Sequence, residues 1–119
     1  MDRKWFLSAF VLILTPSFAQ ACSCMRIAPQ GYRQQAAVIV EGKVVSLKRV
    51  GDINGRLIVR IAVSKIVKGM APKTVTVTTR GNSAACGVEF RQGQTGEVLL
   101  SRQNGRLETN LCLMLGARR

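Results

Sequence analysis

Four cysteines constrain this chain more than any other feature, because all four follow an N-terminal segment that reads as an export signal. Arg3 and Lys4 precede an apolar run from Trp5 to Leu14, followed by Pro16 and the triplet Ala19-Gln20-Ala21. A basic start, an apolar stretch of about 7–15 residues and a small-x-small end suit signal peptidase, whose site admits only small side chains there. Cleavage is expected after Ala21. Residues 1–21 are then a secretory signal peptide, residues 22–119 one mature domain, and Cys22 its first residue. The product is expected outside the cell or in the periplasm. An uncleaved anchor is disfavoured because a bilayer span needs about 20 apolar residues. A lipoprotein signal would anchor the chain by lipid on Cys22, but Ala19 stands where such signals usually carry Leu, and Gln20 fits poorly.

The 98 residues that remain suffice for one domain and not for two. Their cysteines, Cys22, Cys24, Cys86 and Cys112, are even in number, which in an exported chain reads as two disulfides. A four-cysteine zinc site would need thiolates that an oxidising compartment pairs instead. No metal or cofactor of its own is therefore expected. Four cysteines allow three pairings. A Cys22–Cys24 bond would close a strained small ring, so each is expected to reach a distant partner, Cys86 or Cys112. Closing loops of this size is worth roughly 4–5 kcal/mol each in the loop-entropy treatment, so a purely structural role would account for all four.

Structural staples do not require that a cysteine be the first mature residue. There, the terminal amine and the carbonyl of Cys22 are neighbours that can form a five-membered chelate. The amine has an ordinary pKa of about 8 and loses its proton to a metal readily. Two disulfides would hold both atoms rigid and lower the entropy cost of binding. The result would be a bidentate ligand for the metal ion of a partner.

Period-two patterns dominate the mature chain and make it all-β. Val38 to Val45 and Leu57 to Val63 read as half-buried strands, joined by a hairpin turn at Asn54-Gly55. Gly69 to Pro72 ends the second strand and Thr74 to Thr79 gives a third. Gly96 to Arg102 and Arg106 to Leu111 give the fourth and fifth, joined at Asn104-Gly105. A short helix is expected from Pro29 through Gln35 to Ala37, and Arg80 to Gly93 reads as a loop tied down by Cys86. Five antiparallel strands suit a closed OB-type barrel, whose closure removes exposed edges. A β-sandwich usually wants about seven strands.

Sixteen Lys and Arg against five carboxylates (Glu41, Asp52, Glu89, Glu97, Glu108) give the mature chain a net charge of +11. Anionic glycans, envelope surfaces or acidic proteins are the partners such a charge attracts. The cations are scattered in sequence and few aromatics remain to stack on bases, so nucleic acid is not expected. An enzyme is not expected either. The chain has no His, its carboxylates are scattered, and paired cysteines cannot act as nucleophiles. Ser23, Ser83 and Ser101 have no visible catalytic partner, and Tyr32 and Phe90 read as packing residues.

Cys22-Ser23-Cys24, followed by Pro29-Gln30, Val38-Ile39, Lys43-Val44, Lys68-Gly69, Cys86-Gly87-Val88 and Leu111-Cys112, resembles the N-terminal domain of the tissue inhibitors of metalloproteinases. The resemblance implies the netrin-like form of the OB barrel, and the domain is expected to be a monomer. It implies pairing of Cys22 with Cys86 and of Cys24 with Cys112. It further implies a zinc metalloprotease as partner, whose catalytic zinc would be chelated by the amine and carbonyl of Cys22, displacing the water needed for hydrolysis. Ser23 would then enter the mouth of the specificity pocket, with Cys24, Cys86, Gly87 and Val88 against the same cleft. The chain departs from the family at Gln34, where the first Cys of a third disulfide would stand. It also reaches Arg119 soon after Cys112, so that no closing helix or second domain is expected. Netrin-like domains of complement components, netrins and procollagen-proteinase enhancers share the barrel without inhibiting metalloproteases. A non-inhibitory module that binds an anionic surface is accordingly the second reading.

Overall fold

Alternating side chains decide which face of each strand enters the core. The computed structural model describes residues 22–52 and 54–118, so the signal segment and its cleavage point lie outside the described residues. The element order is α1 (Pro29–Gln35), β1 (Val38–Val50), β2 (Arg56–Lys68), β3 (Thr74–Arg80), a 3-10 turn at Ser83–Ala85, β4 (Thr95–Gln103), β5 (Arg106–Glu108) and α2 (Leu111–Met114). The strands close into a barrel in the order β1-β2-β3-β5-β4. Its interior is filled by Val38, Val40, Val44, Leu57, Val59, Ile61, Val75, Val77, Val88, Phe90, Val98 and Leu100. The chain is an all-β, five-stranded OB-type barrel with a short N-terminal helix.

The structure corrects the sequence reading in four places. First, the ring is not wholly antiparallel: β3 and β5 pair in parallel through Val77–Leu107 and Thr78–Glu108. Second, β1 and β2 are 13 residues each and far longer than expected. Register shifts near Ile39, Glu41 and Val44 let this long hairpin coil around the barrel. One of them is at Gly42, where a Cβ would collide with the Ala62 carbonyl on β2. Third, β5 stops at Glu108, and the Asn110 side chain accepts the Leu113 N–H at 2.8 Å to cap a helical turn, α2, where none was expected.

Fourth, the two Asn-Gly pairs behave differently. Asn104 and Gly105 both adopt positive φ (50° and 78°) between the paired residues Gln103 and Arg106, as a tight two-residue hairpin turn requires. At the other pair, Asp52 takes over: its carbonyl accepts the Gly55 N–H and its side chain accepts the Asn54 N–H. The left-handed residue is then Gly51 (φ 82°) and the connection is longer.

Candidate functional site

A second apolar cluster lies on the outside of the barrel, and it positions the N-terminal edge. Val38 and Val40 point inward while Ile39 points outward; Leu99 does the same between Val98 and Leu100. Both triplets are therefore buried on both faces, where the sequence suggested half-buried strands. Ile39 and Leu99 pair across β1 and β4, and Tyr32 of α1, Ala36 just after it and Leu113 of α2 cover them. Cys24 and Cys112 pack on the margin of this cluster.

The extended segment from Cys22 to Ala28 is fixed to that layer at three points. Cys22 is bonded to Cys86 (Cα–Cα 5.0 Å) and Cys24 to Cys112 (Cα–Cα 5.3 Å). The two bridges lie against each other, with Sγ of Cys22 and of Cys112 3.6 Å apart. Their far ends are joined as well, because the Leu111 N–H donates to the Cys86 carbonyl at 2.9 Å. The third point is the buried Tyr32, whose hydroxyl donates to the Met25 carbonyl. Sulfurs of Cys22, Cys24 and Cys112 lie within 4.8 Å of one another, as metal ligands would. No cysteine is free, however, so no thiolate is offered, and the cluster is a pair of stacked disulfides.

Ser23 is exposed beside these bridges, and Cys22 and Cys24 are half-buried. The Cys22 carbonyl accepts no hydrogen bond from the described residues. Cys86 ends the 3-10 turn in the left-handed region (φ 69°). Gly87 is buried, its N–H donating to the Asn82 carbonyl at 2.9 Å. Val88 turns its side chain into the barrel core while its N–H donates to Thr79 Oγ1 at 3.0 Å. Of the Cys86-Gly87-Val88 run, Cys86 is thus the residue whose side chain reaches the N-terminal edge.

An ion pair absent from the sequence reading locks α1 beneath this edge. Arg33 donates to both carboxylate oxygens of Glu97 and, at 3.0 Å, to the Gly116 carbonyl; both side chains are buried. The Arg118 N–H also donates to Glu97 at 2.9 Å. Burial pushes the Glu97 carboxyl up, but the bonds from Arg33 and Arg118 and their charges outweigh it and hold the group below the ordinary carboxylate value. The bond to Glu97 likewise raises Arg33 against the opposing effect of burial. At the same C-terminal turn of α1, Lys68 Nζ donates to the Arg33 and Gln34 carbonyls at 3.0 Å. A cation there satisfies carbonyls that the helix leaves unpaired. No sequence signal separates Glu97 from Glu41, which also interrupts an apolar strand.

The profile of the family described as "Tissue inhibitor of metalloproteinase" matches residues 20–116. Metalloproteinase inhibitor 2 of the dog, Canis lupus familiaris, is 34% identical over 116 residues, which cover 89% of this chain and 53% of that protein. The same inhibitor from the guinea pig, Cavia porcellus, is 33% identical over 116 residues, with the same two shares. The human protein is 34% identical over 104 residues, 79% of this chain and 47% of that protein. The chain spans about half the length of the curated relatives it matches.

Proposed function

The chain belongs to the tissue inhibitor of metalloproteinase family, and from that premise we propose that it is an exported inhibitor of zinc metalloproteases whose working group is the N-terminus of Cys22. Export would remove residues 1–21 and leave Cys22 with a free amine next to its own carbonyl. The observation that carries this reading is the double anchoring of Cys22-Ser23-Cys24, with a Cys22 carbonyl that accepts no hydrogen bond from the described residues. A carbonyl already engaged would have to break a bond before meeting a metal. A free one, held rigid, loses little entropy on binding.

In a target protease the zinc activates the water that attacks the peptide bond. The amine and carbonyl of Cys22 would take the place of that water, and no proton donor or base from the inhibitor is needed. Ser23, exposed next in the chain, would face the specificity pocket, and the Cys24 and Cys86 bridges would lie against the rim of the cleft. Gly87 and Val88 would contribute backbone at most, since both are buried.

Acetylating the Cys22 amine, or extending the mature chain by one Ala before it, tests the mechanism directly. Inhibition of a zinc endopeptidase should fall by at least a hundredfold while both disulfides and the thermal transition stay unchanged. Undiminished potency would sink the proposal.

A further inference from the structure

Oxidisable side chains are few in this chain, and one of them stands on the N-terminal edge. The chain has no His, its single Trp is Trp5, and all four cysteines are paired. Tyr32 is buried. Removal of residues 1–21 would take away Trp5 and Met1, so the thioethers of Met25, Met70 and Met114 are left as the groups that a peroxide attacks most readily. Met70, on the connection between β2 and β3, is 83% exposed, Met25 is 63% exposed, and Met114 of α2 is half-buried against the barrel core.

Met25 differs from the other two in what holds it and in what it faces. It follows Cys24, whose side chain is bonded to Cys112, and its own carbonyl accepts the Tyr32 hydroxyl and, at 3.1 Å, the Ile27 N–H. The backbone is thus fixed around Met25 while the side chain lies open to solvent. Together with Ser23, the Cys24–Cys112 bridge and Leu113, Met25 lines a cleft of about 320 Å³ at the N-terminal edge. A partner surface seated on Ser23 and this cleft meets the Met25 thioether as well. Neither Met70 nor Met114 lines the cleft.

We propose that Met25 is an oxidation site that turns the inhibitor off, an inference that rests on the reading of the Cys22 edge as the surface that meets a protease. The reduced thioether is a flexible, polarisable contact that adapts to an apolar surface. Hydrogen peroxide transfers one oxygen to the sulfur, which gives up two electrons; the O–O bond breaks and the second oxygen leaves as water. The sulfoxide is polar, and burying it against a partner without a hydrogen bond carries a penalty. Because Cys24 and Tyr32 hold the backbone, the segment cannot swing the oxidised side chain aside while Cys22 keeps its place. Oxidation of Met70, outside the cleft, leaves the edge as it was. The amine and carbonyl of Cys22 and both disulfides take no part in the step, so reduction of the sulfoxide restores the inhibitor.

The test uses the exported chain with both disulfides closed, hydrogen peroxide as oxidant and the catalytic domain of a zinc metalloprotease as target, with peptide mass spectrometry following each methionine. Met70 and Met25 should take up oxygen before the half-buried Met114. The inhibition constant of the parent should rise about tenfold or more as Met25 is converted, the order expected when one apolar side chain at an interface turns polar. Met25→Leu, which offers an apolar side chain of similar volume and no thioether, should hold its own starting inhibition constant within about twofold under the same treatment. The double variant Met70→Leu, Met114→Leu, with Met25 as the one methionine of the mature chain, should lose inhibition in step with the Met25 sulfoxide. Inhibition by the parent that persists after full conversion of Met25 would overturn the proposal, and so would an equal loss in Met25→Leu. A parent that inhibits no better before peroxide than after, because it does not inhibit at all, would overturn the inhibitor reading itself and this proposal with it.

Discussion

The inside and the outside of the barrel are held together by different physics. Twelve buried apolar residues from four strands and the 81–94 loop fill the interior, with no cysteine among them. The outer layer has five, Tyr32, Ala36, Ile39, Leu99 and Leu113, beneath helices of seven and four residues. Helices that short are not stable by themselves. Two disulfides, a buried ion pair and a tyrosine hydroxyl supply the rest, and this is the layer that carries the N-terminal edge. The end of the molecule proposed to meet a protease is thus the part its hydrophobic core supports least.

Removing one staple tests that contrast with the largest expected effect. The Cys24–Cys112 bond closes a span of 88 residues, worth roughly 4–5 kcal/mol in the loop-entropy treatment. The double variant Cys24→Ser, Cys112→Ser should lose global stability on that scale in denaturant titrations. Native-state hydrogen exchange should show α1 and α2 opening first, with β1 and β4 still protected. Uniform loss of protection throughout would mean that layer and barrel are one cooperative unit, and the comparison would fail.

The ion pair comes next. Glu97→Gln leaves Arg33 buried beside a neutral amide and should cost about 3 kcal/mol at pH 7, since a buried charge losing its partner is strongly destabilising. The folded pKa of Glu97 is depressed, so its contribution is complete above the unfolded carboxyl value, about 4.3, and is lost as pH falls through the lower folded value. The stability gap between parent and variant should therefore be constant above about pH 5 and shrink in acid. A gap independent of pH down to acid unfolding would show that the charge of Glu97 is not what holds α1.

How much of this was legible in the sequence follows the same division. Period two and the Asn104-Gly105 turn encode the barrel locally, and the apolar triplets Val38-Ile39-Val40 and Val98-Leu99-Leu100 carry the signal of strands buried on both faces. Nothing local says what covers the outer face, because α1 and α2 come from opposite ends of the chain. Asn54-Gly55 misleads because Asp52, two residues earlier, competes for the same N–H groups. Arg33 and Glu97 are 64 residues apart, and only the closed barrel brings them together. The cysteine spacing limits the pairings but does not choose between the long-range ones. The juxtaposition of Arg56 and Arg80 is likewise a property of register, since the two meet only once β2 and β3 are paired.

The smallest expected effect asks whether covalent staples alone keep the N-terminal segment in place. Tyr32→Phe keeps the ring packed on Ile39, Leu99 and Leu113 and removes only the hydroxyl that donates to the Met25 carbonyl. Loss of one such bond is worth about 1 kcal/mol. The Met25 carbonyl would keep the Ile27 N–H at 3.1 Å as its partner, so no acceptor is orphaned. The melting temperature should then fall by a few degrees at most, roughly what about 1 kcal/mol gives in a domain of this size. Amide exchange at residues 25–28 should rise severalfold while that of β1 stays constant. With Cys22 as the working group, the variant should also release a target protease a few times faster, because the segment behind the chelating residue is less well ordered. Unchanged exchange at 25–28 would show that the two disulfides already fix the segment and that the Tyr32 hydroxyl adds nothing to its order.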